Sequence, residues 1–524
     1  MMTVVQPPVR AYPLASLLAD LAERDITVSC DVTGMSLNSD QIQSGDLFLA
    51  CAGLRSHGLQ YAESAVKKGA VAIAYETPSE QQLQGQLGEI LVPLQGLGIP
   101  LVAVKELSIK VGVIAERFYG QPSQAMHVIG ITGTNGKTSC SHFLASLLST
   151  ARAPCGLIGT LGNGKFGQLT STTHTTPDAV TLHKLFAEMR DDGLEYVCME
   201  VSSHGLEQGR VSGVSFDTAV FTNLTRDHLD YHGDMENYAR SKQLLFEQAG
   251  LRYAVINADD AFGRELLISL PDSVQSVAYS LSEEGNAEST ELRHSVMHLG
   301  CVQGSDLHFS GDGMSVQVSS PWGDGELQSP LFGRFNASNV LAVMAVALLT
   351  GMRLPSVLAG IQQLQSVPGR MQKIESAKGQ PMVVVDYAHS PDALEQALSA
   401  LRVHCRSELY CVFGCGGDRD RGKRPLMGSV AEQWADHIIL TDDNPRSEDS
   451  RAIIEDIRGG IQNTDKLHIE TDRRAAIAYA IARAGSSDII LVAGKGHENY
   501  QLIGDQRLPF NDAEVIAECL GGDQ

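Results

Sequence analysis

The string GITGTNGKTS at 130–139 has the residue types and spacing to hold a polyphosphate. Gly133 and Gly136 let the backbone turn tightly and approach an anion closely. A helix starting near Lys137 would aim unpaired N–H groups and the positive end of its dipole at that anion. Lys137 can reach the β- and γ-phosphates, and the Thr138 hydroxyl can take Mg²⁺. Thr134, Asn135 and Ser139 complete the loop. The common pattern GxxxxGK[ST] would place glycine at 131, where this chain has Ile131; the glycine is Gly130 instead. A chance glycine turn is the alternative. Against it stand the β-branched run HVIGIT before the loop and KTSCSHFLASLLS after it, with Phe143, Leu144, Leu147 and Leu148 on one helical face.

Other residues could serve the same chemistry. Glu200 ends the apolar run EYVCME, and a carboxylate at a strand end near a phosphate loop is where a further Mg²⁺ ligand is needed. Any acidic strand terminus looks the same. TNLTRDHLDYHG (222–233) carries Asp227, His228 and His232; a neutral histidine nitrogen can bind a metal, although a lone histidine is more often packed or solvated. Lys242, in ENYARSKQLLF, reads by itself as a helix-surface lysine. Asn336 and Asn339, in GRFNASN, carry amides that can read an adenine edge, or can cap a helix. Asp443, Asn444, Pro445 and Arg446 combine polar groups with a forked cation; a solvent-exposed turn is the plain alternative.

These residues need elements to position them. At roughly 150 residues per domain, 524 residues suggest about three domains. Residues 1–117 mix strand-like runs, DLFLACAG (46–53), AVAIAYE (70–76) and PLVAV (100–104), with a helical stretch at 60–68, which predicts a small α/β domain. FYGQPSQ (118–124) reads as a linker. From 118 to 352, HVIGIT, EYVCMEVSS, TAVFTNL and YAVINADD alternate with helices and predict a central P-loop ATPase-type parallel sheet, with an antiparallel extension over 280–330. From 353 to 524, PMVVVDYAH, ELYCVFGCGGDRD, HIILTDDNP and DIILVAGKG are apolar strands that each end in a polar, glycine-bearing loop. They predict a C-terminal Rossmann-like α/β domain whose four loops share one rim. The fold class is α/β.

The chain carries 40 basic and 62 acidic residues, a formal charge of −22. That field disfavours non-specific nucleic-acid and anionic-membrane binding, so a bound phosphate must be held by local groups. The N-terminus lacks a secretory h-region, and no run of about 18 apolar residues suggests a membrane span. The ten cysteines include no CxxC pair, and Cys411 and Cys415 have no companion zinc ligands. A reduced, cytoplasmic protein is expected.

The string TGTNGKT resembles the phosphate loop of the Mur ligases, which add amino acids to a UDP-N-acetylmuramoyl peptide. The resemblance runs from about Leu37 to Glu498. It implies that Lys137, Glu200, His228 and Lys242 are catalytic, and that ATP is held by residues 133–139 with Asn336 at the adenine. It also implies that Mg²⁺ is held by Thr138, Glu200, His228 and Lys242, the lysine as its carbamate, N6-carboxylysine. STTHTTPDA (171–179) resembles the loop that holds the muramoyl peptide, through His174, Thr175 and Thr176, with His174 where Asn is usual. Ser202, Gln208 and Arg210 match further contacts to that substrate. MSLNSDQIQSGDLFLACAGLRSHG (35–58) resembles the uridine-diphosphate pocket through Leu37, Ser39, Leu54, Arg55 and Ser56. Asn38 and Asp40 stand where Asp and Arg are usual, and an acidic Asp40 is unfavourable beside a diphosphate.

In the third domain VPGRM, DYAHSPDAL, GCGGDRDRGKRPLM, TDDNPRSED and AGKGHENYQ resemble family members that add meso-diaminopimelate. This implies a site made of Arg419, Asp443, Asn444, Pro445, Arg446, Gly494 and Glu498. Diaminopimelate differs from lysine by one more carboxylate, which Arg446 suits, and such a site should reject lysine by about 10⁴. Arg370 and the segment from Asp386 to His389 would sense ATP where the second and third domains meet. The implied reaction makes an acyl phosphate from ATP and the peptide's D-glutamate, which the amine then attacks. Expected partners are the UDP-N-acetylmuramoyl dipeptide, meso-diaminopimelate and ATP, with no nucleic acid, no membrane insertion and a monomeric state. A sister ligase adding lysine, or glutamate to a folate, and a P-loop switch without ligase chemistry are the alternatives.

Overall fold

The computed structural model describes residues 11–53, 56–77, 91, 94–151, 154–172, 174–281, 298–310, 313–374 and 379–521. The chain divides into two compact units, one of Met1–Ile129, Gly156–Asp217 and Gln248–Gly250, the other of Gly130–Cys155, Thr218–Glu247 and Leu251–Gln524.

The first unit holds a four-stranded, all-parallel sheet in the order Gly34–Ser36, Asp46–Ala50, Ala72–Thr77, Leu101–Lys105. Every residue of DLFLA is buried because both faces are covered. Leu47 and Leu49 join one apolar cluster with Val102 and Val104, while Phe48 and Ala50 join another with Ile73, as the period-two alternation of a strand requires. The helix Leu107–Phe118 seals the first cluster through Leu107, Val111, Ile114 and Phe118. The stretch read as a linker is instead packed. Gln121 takes a left-handed conformation, Pro122 opens a 3₁₀ turn, and the fully buried Ser123 hydroxyl accepts the Ser215 N–H at 3.0 Å. Arg190 donates to the carbonyls of Tyr119 and Gly120. Glycine and proline mark a turn here, and buried polar partners hold it rigid. The same unit carries the antiparallel run Cys155–Gly159, Gly162–Lys165, Gln168–Thr170 and the buried strand Tyr196–Glu200.

The strand His127–Thr132 leads to the phosphate loop and the helix Lys137–Ala151, which lie in the second unit. Strands follow in the order Thr218–Phe221, Tyr253–Asn257, Gln275–Ser280, His298–Ser310, Gly313–Ser319, Gly325–Ser329. Pairing is parallel as far as His298–Ser310 and antiparallel beyond it, so the expected extension is present over its described part. The helix Arg334–Leu349 is buried almost all round, which its continuous apolar sequence permits. The helix Leu354–Ile361 packs on the loop helix, with Leu147 over Gly360.

A six-stranded sheet completes this unit, in the order Gln372–Ile374, Met382–Asp386, Ile489–Ala493, Leu409–Phe413, His437–Leu440, Leu467–Ile469. Only the first pair is antiparallel. Its two faces bury separate cores, the pattern of a doubly covered α/β sheet. The four expected loops do share a rim. The Gly494 N–H donates to the Asp386 carbonyl, and Gly414 lies against Thr441 and Asp443.

Behind the rim, Arg473 forms a two-point ion pair with Asp512 at 2.7 Å, both side chains fully buried. The same guanidinium donates to the Asp442 and Ala493 carbonyls, so it ties two strand ends to the helix Asp512–Cys519. Removing one partner strands the other charge in the core. Asp512→Ala is therefore expected to cost about 3–5 kcal/mol, read as a lowered urea midpoint, whereas a surface pair such as Arg474–Glu518 should cost under about 1 kcal/mol.

Candidate active site

The phosphate loop is held by a neighbouring strand end. The Thr222 hydroxyl donates to the Asn135 carbonyl at 2.6 Å, and Asn223 both donates to that carbonyl and accepts the Asn135 N–H at 2.9 Å. Gly133, at φ +146°, passes so close to Thr222 that a Cβ would lie 1.9 Å from its hydroxyl oxygen. The Thr134 hydroxyl meets Thr225 and Tyr238. Lys137 folds over the loop and donates to the Gly133 and Thr134 carbonyls at 2.8 and 2.9 Å. Thr138 and Ser139 are buried at the helix start. Thr222 and Asn223 were missed in the sequence, although TNLT was part of the string that drew attention to His228.

Beside the loop stand Asp227, His228 and Lys242. Burial lowers the proton affinity of His228, Asp227 opposes this, and Lys137 and His389 add to it, so the ring is neutral near pH 7. Burial alone would raise the Asp227 carboxyl, but His228, His389 and Lys423 hold it below its usual range. Lys242 is not a surface lysine: it is 1% exposed, with its Nζ 4.1 Å from the centre of the Tyr238 ring. Burial first, then the charge of Lys137, drive its proton affinity well below that of an ordinary lysine.

The C-terminal part of this unit reaches the same loop. Arg370 lies over the Tyr387 ring and 3.5 Å from the Thr138 hydroxyl. Asp392 accepts from Asn135 at 3.0 Å and from Thr225 at 3.2 Å. Asp386 is turned inward and accepts the Met371 and Ala388 N–H groups. Asn336 donates to the Phe332 carbonyl and accepts from Asn339, whose own Oδ1 faces Gly136. Asn339 is thus the asparagine that meets the loop.

In the first unit, residues from three separate strings converge. Glu200 is fully buried and takes both the N–H and the hydroxyl of Thr160, at 2.8 and 3.1 Å. Thr160 in turn meets Thr175 at 3.0 Å. The Thr176 hydroxyl meets the Glu200 carbonyl and Ser202, and Arg210 bridges the Thr176 carbonyl to Gln208. Thr160 was missed in the sequence; its only signal is its place just after the strand Cys155–Gly159. His174 is exposed, its backbone braced by the Thr172 hydroxyl. In the other pocket candidate, Ser39 is buried and Leu37 and Ser56 are half-buried, while Leu54 and Arg55 lie outside the described residues. Asp40 does not stand as a bare charge: Lys68 pairs with it at 2.6 Å.

The third group gathers on the C-terminal rim. Asn444 donates to Glu498 at 2.8 Å, and Gly494 lies against Asp443. Pro445 is buried, and Arg446 sits at φ +52°, a strained conformation fixed by hydrogen bonds to Leu502 and Gly504. Its guanidinium donates to the Gly417 carbonyl at 2.7 Å, beside Gly416 and the exposed Arg419. Lys495, in the AGKGHENYQ string but missed, is buried among Asp443, Asn444 and Glu498. The rim carries both carboxylates and forked cations, which suits a zwitterionic ligand.

Comparison with known proteins gives the family. Three family descriptions match: "Mur ligase family, catalytic domain" over 31–118, "Mur ligase middle domain" over 131–347, and "Mur ligase, glutamate ligase domain" over 369–496. The chain belongs to the Mur ligase family. It is 48% identical to the UDP-N-acetylmuramoyl-L-alanyl-D-glutamate–2,6-diaminopimelate ligase of Coxiella burnetii, over 96% of this chain and 99% of that protein. The Pseudomonas aeruginosa ligase of the same name is 46% identical, over 95% and 96%. A solved structure of a ligase with that name superposes with a TM-score of 0.68 at 34% identity, covering 98% and 99%.

The buried Thr222 braces the loop through its hydroxyl. Thr222→Val should weaken binding of a non-hydrolysable ATP analogue about tenfold in calorimetric titration, with the fold intact. Unchanged affinity would mean the loop holds its shape without Thr222.

Proposed function

We propose that this chain is an ATP-dependent ligase that adds meso-diaminopimelate to the D-glutamate of UDP-N-acetylmuramoyl-L-alanyl-D-glutamate, a cytoplasmic step in peptidoglycan precursor synthesis. Three parts divide the work: 1–117 for the uridine diphosphate, 118–352 for ATP, and 353–524 for the amino acid. The observation that carries the amino-acid assignment is the turn from Asp443 to Arg446, in which Arg446 has a strained backbone and donates to the Gly417 carbonyl, and Asn444 donates to Glu498. A far-end carboxylate gives this fixed cation a partner, and a far-end ammonium gives the carboxylates one.

On ATP binding, Lys137 exchanges the Gly133 and Thr134 carbonyls for phosphate oxygens. A γ-carboxylate oxygen of the substrate attacks the γ-phosphorus, and ADP leaves. The diaminopimelate amine then attacks the acyl carbon, loses a proton and expels phosphate. Lys137 offsets charge developing on the transferred phosphoryl group, and the rest of the catalysis is positioning. Thr175, Thr176, Ser202, Gln208 and Arg210 bind the muramoyl peptide, with His174 at the edge of that loop. Leu37, Ser39, Leu54, Arg55 and Ser56 bind the uridine diphosphate, and Asn336 lies toward the adenine.

Mg²⁺ takes one or two protein oxygens and fills the remainder with phosphate and water. In the second unit the Thr138 hydroxyl would hold it beside the phosphates, with His228 as a nitrogen donor, and in the first unit the Glu200 carboxylate would supply an oxygen. Bound Mg²⁺ would neutralise phosphate charge. A cationic Lys242 would oppose it. Burial favours the uncharged amine of Lys242, and an uncharged amine can add to CO₂ with loss of a proton to give an anionic carbamate.

Phosphate release tests the reading. It should require both co-substrates; ATP turnover that the muramoyl dipeptide and diaminopimelate leave unchanged would instead indicate a P-loop switch. For the carbamate, ¹³C-labelled bicarbonate should give a carbamate resonance that Lys242→Ala abolishes, together with about 10²–10³ of kcat. A fully active Lys242→Ala enzyme would remove the carbamate from the mechanism.

A further inference from the structure

Lys495 is completely buried, and it lies on the loop that follows the strand Ile489–Ala493. Its ammonium donates to Asn444 Oδ1 at 3.0 Å and Glu498 Oε2 at 3.1 Å, and lies 3.5 Å from Asp443 Oδ1. Three N–H groups thus meet three side chains assigned to the amino-acid substrate. Asn444 is held from behind as well, since its Oδ1 also accepts the Leu502 N–H and its Nδ2 donates to Glu498 Oε2. Among the described residues, no hydrogen bond engages Asp443 Oδ2 or Glu498 Oε1. Each carboxylate therefore keeps one oxygen for a ligand.

Charge matters as much as geometry here. Two carboxylates side by side would attract any cationic tail. With Lys495 between them the trio carries a single net negative charge, the match for one ammonium group. The ammonium contact then contributes less, and binding depends more on the pairing of Arg446 with a carboxylate. We propose that Lys495 is a specificity-determining positioning residue that orients Asp443, Asn444 and Glu498 and cancels one of their charges, so that the pocket selects an amino acid with a zwitterionic far end over one with a bare ammonium. This rests on the amino-acid assignment proposed above.

The test compares wild type, Lys495→Met and Lys495→Gln in steady-state assays with meso-diaminopimelate and with L-lysine, at saturating ATP and muramoyl dipeptide. Lys495→Gln removes the charge but keeps two N–H donors, and serves where Lys495→Met does not fold. In both variants the KM for diaminopimelate should rise about tenfold or more with a much smaller change in kcat. The ratio of kcat/KM for diaminopimelate over lysine should fall about tenfold or more. Lys495→Met/Glu498→Gln, which restores the single negative charge, should recover part of that ratio. A wild-type enzyme that ignores diaminopimelate overturns the functional reading itself. A wild type that uses it, with both substrates declining in parallel in the folded variants, overturns only the role of Lys495.

Discussion

A chain with a formal charge of −22 that must hold a triphosphate works against its own mean field. Positive potential has to be built locally, from a helix start, a glycine loop and a few cations, and those cations must not repel one another. Lys137 and Lys242 face this conflict directly. Burial and the charge of Lys137 push the proton affinity of Lys242 well below that of an ordinary lysine, while Asp227, kept ionised by His228, His389 and Lys423, offsets part of the cost. Much of the second unit serves this balance: Arg370 is brought over Tyr387 to the Thr138 hydroxyl, and Asp392 ties the C-terminal part to the loop through Asn135 and Thr225.

One construction recurs at each candidate site. A strand ends, a polar loop follows, and a buried polar side chain from elsewhere fixes the loop from behind. Thr222 does this for the phosphate loop and Lys495 for Asp443, Asn444 and Glu498, while the half-buried Thr160 holds Glu200 through its N–H and hydroxyl. Arg424, fully buried, does it for the loops at Gly416 and Glu448. Groups that touch a ligand can then be half-exposed and still hold their geometry, because the groups behind them are rigid.

The strands were legible because apolar β-branched runs ending in glycine have few alternatives, and all four C-terminal runs became neighbouring parallel strands. The candidate sites stand out where one string carries several polar groups, as TNGKT and DNPR do. What the sequence hid was partnership across long separations. Thr222 and Asn135 are 87 residues apart and Thr160 and Glu200 are 40 apart, so neither hydroxyl shows any local reason to matter. Lys242 read as a surface residue because its string is polar, yet the helix Met235–Gln243 turns that side inward. The glycine and proline of 118–124 suggested looseness, whereas buried hydrogen bonds fix that turn. Asp40 looked misplaced until Lys68 appeared beside it.

The central claim is that loop and rim serve one reaction, with the rim choosing the amino acid. Its most direct test supplies wild-type protein with ATP, Mg²⁺, UDP-N-acetylmuramoyl-L-alanyl-D-glutamate and equimolar meso-diaminopimelate and L-lysine, and reads the product by mass. The account predicts the diaminopimelate tripeptide almost alone, by about 10⁴ over the lysine product. A product containing mainly lysine, or no amide product while ATP is consumed, would contradict it.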